Sequence, residues 1–185
     1  MDLRGSVQGM RSSFKSFGLG LLLSVALVYL ILVAQFESFM DPFIILFAIP
    51  PGLAGVLFML LFTGTTLNIM SLMGLVMMVG IVVSNSILIV DFSRSLWRGG
   101  TPLKEAVTVA SRIRLRPVLM TSLATVIGLI PMALKLGTGA EAYAPLARSI
   151  IGGLLLSVVV TVYLVPAAYL WVHQQEELQP PEVPA

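Results

Sequence analysis

The sequence predicts an all-α integral membrane protein: a bundle of five transmembrane helices with one short interfacial helix. Composition predicts the solvent. Of 185 residues, 57% are hydrophobic and 11% charged, against about 25% charged in a soluble domain, so too little charge exists to cover a water-facing surface. The mean hydropathy of +0.99 points the same way. Pattern predicts the count. Four stretches contain no Asp, Glu, Lys or Arg: Ser16–Phe36, Pro42–Val90, Pro117–Leu134 and Ser149–Val172. A crossing needs roughly 20 apolar residues, and the second stretch is long enough for two.

The first span covers about 17–34 and follows a basic segment, 1–15, that carries Arg4, Arg11 and Lys15. Its apolar run exceeds a signal-peptide core, and Gln35-Phe36-Glu37-Ser38 is a poor cleavage site, so it reads as a span. The next two spans, about 43–62 and 70–91, are joined by Phe62-Thr63-Gly64-Thr65-Thr66-Leu67-Asn68, where Gly and Asn suit a tight turn. Pro50-Pro51 removes backbone donors inside the second span and marks a bend.

The segment 92–116 concentrates six basic residues: Arg94, Arg98, Lys104, Arg112, Arg114 and Arg116. The opposite side has five scattered ones, the three above with Lys135 and Arg148, so 92–116 is expected in the cytoplasm and the N-terminus outside. Gly99-Gly100 breaks the chain there, Thr101 can cap a new helix, Pro102 suits its first position and Glu105 favours its positive end. Leu103, Ala106, Val107 and Ala110 recur at helical spacing, which gives a short helix over about 101–113 that lies on the lipid surface or packs on other cytoplasmic protein. The fourth span, about 117–135, starts at Pro117, and the fifth covers about 149–172. The membrane unit is thus 16–173, and the proline- and glutamate-rich 174–185 reads as a disordered tail.

Several function classes drop out. Cysteine is absent and His173 is the one histidine, which excludes disulfides, Cys-ligated zinc, iron–sulfur clusters and thiol catalysis. No nucleophile elbow, zinc-protease helix or phosphate loop occurs, so neither an enzyme, a cofactor nor a metal site is expected. A net charge of +2 without a basic stripe argues against nucleic acid.

Polar residues at depth carry the remaining information, because an unpaired hydrogen-bonding group in hydrocarbon costs several kcal/mol. Ser84-Asn85-Ser86 interrupts the apolar third span. Asn85 lies roughly 22 Å along that helix, inside the hydrocarbon, and serves either as an interhelical clasp or in an ion or proton path. In the fourth span Arg114 and Thr121 stand two helical turns apart and share a face, a pattern that fits membrane anchoring and packing as well as proton relay. In the fifth, Ser149, Gly153, Ser157 and Thr161 recur every four residues, a small-residue stripe for close helix packing. Ala48-x-x-x-Gly52 and Ala124-x-x-x-Gly128 read the same way.

Several longer motifs occur in order: Gln35-Phe36-Glu37-Ser38-Phe39, Asp41-Pro42, Gly64-Thr65-Thr66-Leu67-Asn68, the run Gly80–Phe92, and Arg114–Ser122. Over about 1–172 the chain resembles the resistance–nodulation–division efflux pumps, the acriflavine-resistance type in particular. The resemblance implies the final five of twelve transmembrane helices, with 1–15 as the end of the preceding periplasmic region. It implies proton-driven export of drugs, dyes, detergents or other hydrophobic compounds. The setting would be the bacterial inner membrane, with the remainder of the pump chain, a homotrimer, a periplasmic adaptor protein and an outer-membrane channel as partners.

In such pumps the proton relay centres on two aspartates of the other half. The resemblance assigns Asn85, Arg114 and Thr121 to positions that face them. Where the family type has a lysine this chain has Ser84, and a hydroxyl can hydrogen-bond a carboxylate but cannot neutralise it. Alone, the chain is expected to be a fragment unable to transport. Two other readings stay open: a small non-transporting membrane protein that docks on other helices through the Ser149/Gly153/Ser157/Thr161 stripe, and a truncated gene product without function.

Overall fold

A computed structural model describes residues 2–173, with side-chain environments for 12–173. The expected tail at 174–185 lies outside the described residues. Every regular element among them is helical: α1 (Asp2–Phe36), α2 (Met40–Leu46), α3 (Ile49–Phe62), α4 (Ile69–Arg98), α5 (Leu103–Ala133) and α6 (Ala140–His173). Five segments are long and apolar enough to cross a membrane: Ser12–Phe36, Met40–Phe62, Ile69–Arg98, Leu103–Ala133 and Ala140–His173. Each overlaps one of the five expected spans, with the fourth and fifth helices beginning well before the expected 117 and 149.

The chain forms two compact units, Met1–Pro42 and Phe43–Ala185. In the first, α1 is a long apolar rod whose Leu19, Leu22, Leu30 and Ile31 are each more than half exposed. Glu37, at a left-handed φ of 49°, ends it. The Tyr29 hydroxyl donates to the Phe39 carbonyl at 3.3 Å, and Ser38 Oγ accepts from the Met40 amide.

In the second unit α6 is the spine, packed against α3, α4 and α5. Small residues let the backbones approach. A Cβ added at Gly55 would lie 2.5 Å from the Gly152 carbonyl oxygen, and one at Gly153 would meet Met78 Cγ at the same distance. Gly74 abuts the Leu146 carbonyl and Ser149. The stripe Ser149, Gly153, Ser157 and Thr161 is buried throughout, as its spacing predicts. Met78 of α4 packs against its glycine, so the stripe packs inside the unit. Ala48 and Gly52 are buried too, Gly52 against Met78 and Ser157. Ala124 and Gly128 are exposed, and nothing in the described structure comes within 4 Å of a Cβ at Gly128.

The turn before α4 is tightly specified. Gly64 adopts φ +59°, and Asn68 with Ser71 forms a reciprocal capping box, each backbone N–H donating to the other's side chain at 2.9 Å. Arg148 of α6 ties this turn to α5, donating from Nη1 to Thr65 Oγ1 at 2.6 Å and from Nε to the Ala133 carbonyl at 3.1 Å.

Three expectations are corrected. The segment 101–113 is not a separate interfacial helix: it is helical only as the first turns of α5, which runs unbroken from Leu103 to Ala133. Its stripe of Leu103, Ala106, Val107 and Ala110 is fully buried within the chain's own unit, so that packing and not lipid fixes it. Pro117 accordingly lies inside a helix and not at its start. The missing Pro117 N–H leaves the Ile113 carbonyl without its intrahelical donor, a loss that a membrane helix tolerates where its surroundings or a local adjustment satisfy the backbone. The bend at Pro50-Pro51 is a full break: α2 ends at Leu46, and the two prolines occupy the first turn of α3, where no donor is needed.

Candidate functional site

Between α4 and α5 runs an open groove of about 620 Å³. Its α4 wall is the face bearing Gly80, Ser84, Asn85 and Leu88, and its α5 wall bears Pro117, Val118, Thr121 and Thr125. Helical periodicity explains both walls. On α4 the lining residues fall three or four apart, so they share one side, while Ser86 turns away and returns its hydroxyl to the Val82 carbonyl at 2.9 Å.

Three of the four relay candidates therefore converge. Asn85 is buried to 9% exposure, and its amide makes no hydrogen bond within the described residues, which leaves it available to the groove. Ser84 beside it is exposed. The Thr121 hydroxyl faces the Pro117 and Val118 carbonyls, both at 3.1 Å, and Thr125 donates to the Thr121 carbonyl at 2.8 Å. With their protons committed to the helix, these hydroxyls offer lone pairs to the groove.

Arg114 is set apart. It does not line the groove but lies two turns along α5 from Thr121, half-buried, with its guanidinium 4.6 Å from the centre of the Phe92 ring of α4. That contact is a cation–π interaction. Its Nε is buried and unpartnered among the described residues. Asp91, exposed and two turns beyond Ser84 on the same side of α4, is a titratable group at this end that the sequence reading passed over. No group of three or more His, Cys, Asp or Glu that could hold a metal occurs among the described residues.

The groove thus combines a neutral wall of amide and hydroxyl groups with Arg114, and the exposed Asp91, toward one end. No acid lines it. Such a surface can pair with carboxyl groups on a facing helix: the Asn85 amide and the Ser84 hydroxyl can donate to an ionised acid, and the threonine lone pairs can accept from a protonated one.

The AcrB/AcrD/AcrF family profile matches residues 1–173. The chain belongs to this family of resistance–nodulation–division transporters. Similar proteins include the multidrug resistance protein MdtC of Erwinia amylovora, 37% identical over 94% of this chain and 17% of MdtC. The swarming motility protein SwrC of Bacillus subtilis is 37% identical over 91% of this chain and 16% of SwrC. A crystal structure of a heavy metal efflux pump superposes with a TM-score of 0.81 at 32% identity, over 90% of this chain and 16% of that one. The chain therefore spans about a sixth of the length of its AcrB/AcrD/AcrF relatives.

Two features of this family member escaped the sequence reading. Gly80 opens the α4 wall one turn before Ser84, and a small residue four positions before a polar one at depth was a signal for it. Arg148 was counted for orientation alone. Its partner Thr65 is 83 residues away, and no local pattern carries that contact.

Proposed function

We propose that the chain is the C-terminal transmembrane portion of a proton-driven pump that exports hydrophobic compounds across a bacterial inner membrane. It acts by transport and not by catalysis. The supporting observation is the convergence of Ser84, Asn85 and Thr121 on one groove with Arg114 at its end. In this reading the groove receives an acid-bearing helix from pump polypeptide outside these 185 residues. When the acid is ionised, Asn85 and the hydroxyl of Ser84 donate to it and Arg114 supplies positive potential. When it is protonated, these attractions weaken and the helix relaxes away from α4 and α5.

Ser84 fits a relay in which the counter-charge comes from Arg114, since a serine supplies a hydrogen bond only. The assembly proposed is a homotrimer working with a periplasmic adaptor and an outer-membrane channel. The segment 92–116 then faces the cytoplasm, the side favoured by the concentration of six basic residues in it against five scattered on the other.

Dye efflux from cells carrying the complete pump tests the reading. Arg114→Ala and Thr121→Ala are expected to abolish efflux while the protein stays in the membrane at wild-type amount. Wild-type efflux in both variants would overturn the assignment.

A further inference from the structure

The outward side of α5 carries a feature that the groove does not use. Ile113, Leu119, Met120, Leu123 and Ile127 are all exposed there, Met120 at 73% and Ile127 at 64%. Arg112 and Arg116, one helical turn apart, interrupt this apolar face. Both are exposed, and neither has an ion pair or hydrogen bond among the described residues. Arg114 between them turns inward onto Phe92, so it belongs to a different contact.

Helix geometry fixes the depth of the pair. Pro117–Ala133 rises about 26 Å, close to the roughly 30 Å thickness of the hydrocarbon. Arg112 and Arg116 then lie at the headgroup level, and the apolar stripe that continues from them lies beside the acyl chains. Guanidinium groups bind phosphate oxygens in a fork geometry. Two positive charges without a partner among the described residues, about 6 Å apart along the helix, are better matched by a lipid with net negative charge than by a zwitterionic one, whose phosphate carries its own counter-ion. Glu105, the acid on this side of α5, is two turns further out toward water.

We propose that Arg112 and Arg116 form a binding site for the phosphate of an anionic phospholipid, whose acyl chains lie along Leu119, Met120, Leu123 and Ile127. The site needs no transport activity, and its failure is distinguishable from failure of the pump reading because the test reads lipid association alone.

The experiment uses the protein in the chain length its native membrane contains, reconstituted in phosphatidylcholine vesicles with spin-labelled phosphatidylglycerol or spin-labelled phosphatidylcholine. The protein-associated fraction of each label gives a relative association constant. Preference for phosphatidylglycerol is expected in the wild type, with a fall of about fivefold or more in Arg112→Gln/Arg116→Gln. Arg112→Lys/Arg116→Lys should keep most of it, and Lys104→Gln should leave it unchanged. The proposal is overturned if the glutamine pair retains the wild-type preference. It is equally overturned if the wild type shows none, the result expected where another protein segment covers this face.

Discussion

Replacing Gly55 by alanine inserts one methyl group where α3 and α6 touch through their backbones. The new Cβ would lie 2.5 Å from the Gly152 carbonyl oxygen and 2.8 Å from Leu156 Cβ. Ordinary contact needs roughly 1 Å more, and since one obstacle is backbone, the helices themselves must part. Overpacking of this kind costs about 1–3 kcal/mol, while a Gly→Ala change inside a helix returns about 1 kcal/mol. The net loss is up to about 2 kcal/mol, and the backbone obstacle puts it toward that end, a factor of up to roughly thirty in the folding equilibrium. Gly153→Ala meets side-chain atoms only, the buried Met78 from Cγ outward, so Met78 must repack but no backbone need part and the cost is smaller. Gly128→Ala meets nothing within 4 Å in the described structure and keeps only the helix gain. Thermal unfolding of the three variants in the same detergent, followed by retention of a monodisperse peak, should rank Gly55→Ala lowest, Gly153→Ala next and Gly128→Ala at or above wild type. A Gly55→Ala protein as stable as wild type, or a Gly128→Ala protein as weak as Gly55→Ala, would refute the packing account.

Further predictions follow from single contacts. Arg148→Leu removes two charge-assisted hydrogen bonds, to Thr65 and to Ala133, each worth about 1.5–3 kcal/mol; a cysteine placed at Thr66 should label faster in this variant, and unchanged labelling would contradict the clasp. Asn68→Ala breaks the capping box of α4 and should cost about 1 kcal/mol of stability in the same unfolding assay. His173→Ala removes a ring stacked on Tyr169 at 4.3 Å and set edge-on to Trp97 at 5.5 Å. In a Trp171→Phe background it should shift the emission of Trp97, whereas an unshifted spectrum would mean the rings do not meet.

Much of this fold was legible in the sequence because lipid imposes a simple rule. Runs free of charge between Ser16 and Val172 mark the spans, and Gly64 and Asn68 mark the turn, since glycine suits a positive φ and asparagine is among the best helix caps. Continuity of α5 through Pro117 was not legible: the spacing of Leu103, Ala106 and Val107 marked a helix before it, but a local rule puts proline at a helix start, and only the structure shows one helix running through. Spacing also tells which faces permit close approach without telling which are used. Ala48/Gly52 and Ala124/Gly128 share one pattern, yet the first pair is buried and the second open. On α6 the four-residue register picked Gly153, which faces α4, and missed Gly152, which faces Gly55 and Met59 of α3. A helix with two neighbours uses two registers. At the site, Ser84, Asn85 and Thr121 stood out as polar groups at depth, but that they share one groove depends on the pairing of α4 with α5, which no single-helix pattern contains.

Exchange of Thr121 for valine removes the hydroxyl at nearly constant volume and isolates the relay role from packing. The measurement is substrate efflux by the complete pump in proteoliposomes under an imposed pH gradient, with Leu123→Val on the outward face of α5 as the control. Loss of gradient-driven efflux in Thr121→Val, with efflux retained in Leu123→Val, is the predicted result. Equal efflux in Thr121→Val and wild type would contradict a proton-coupling role for the α4–α5 groove.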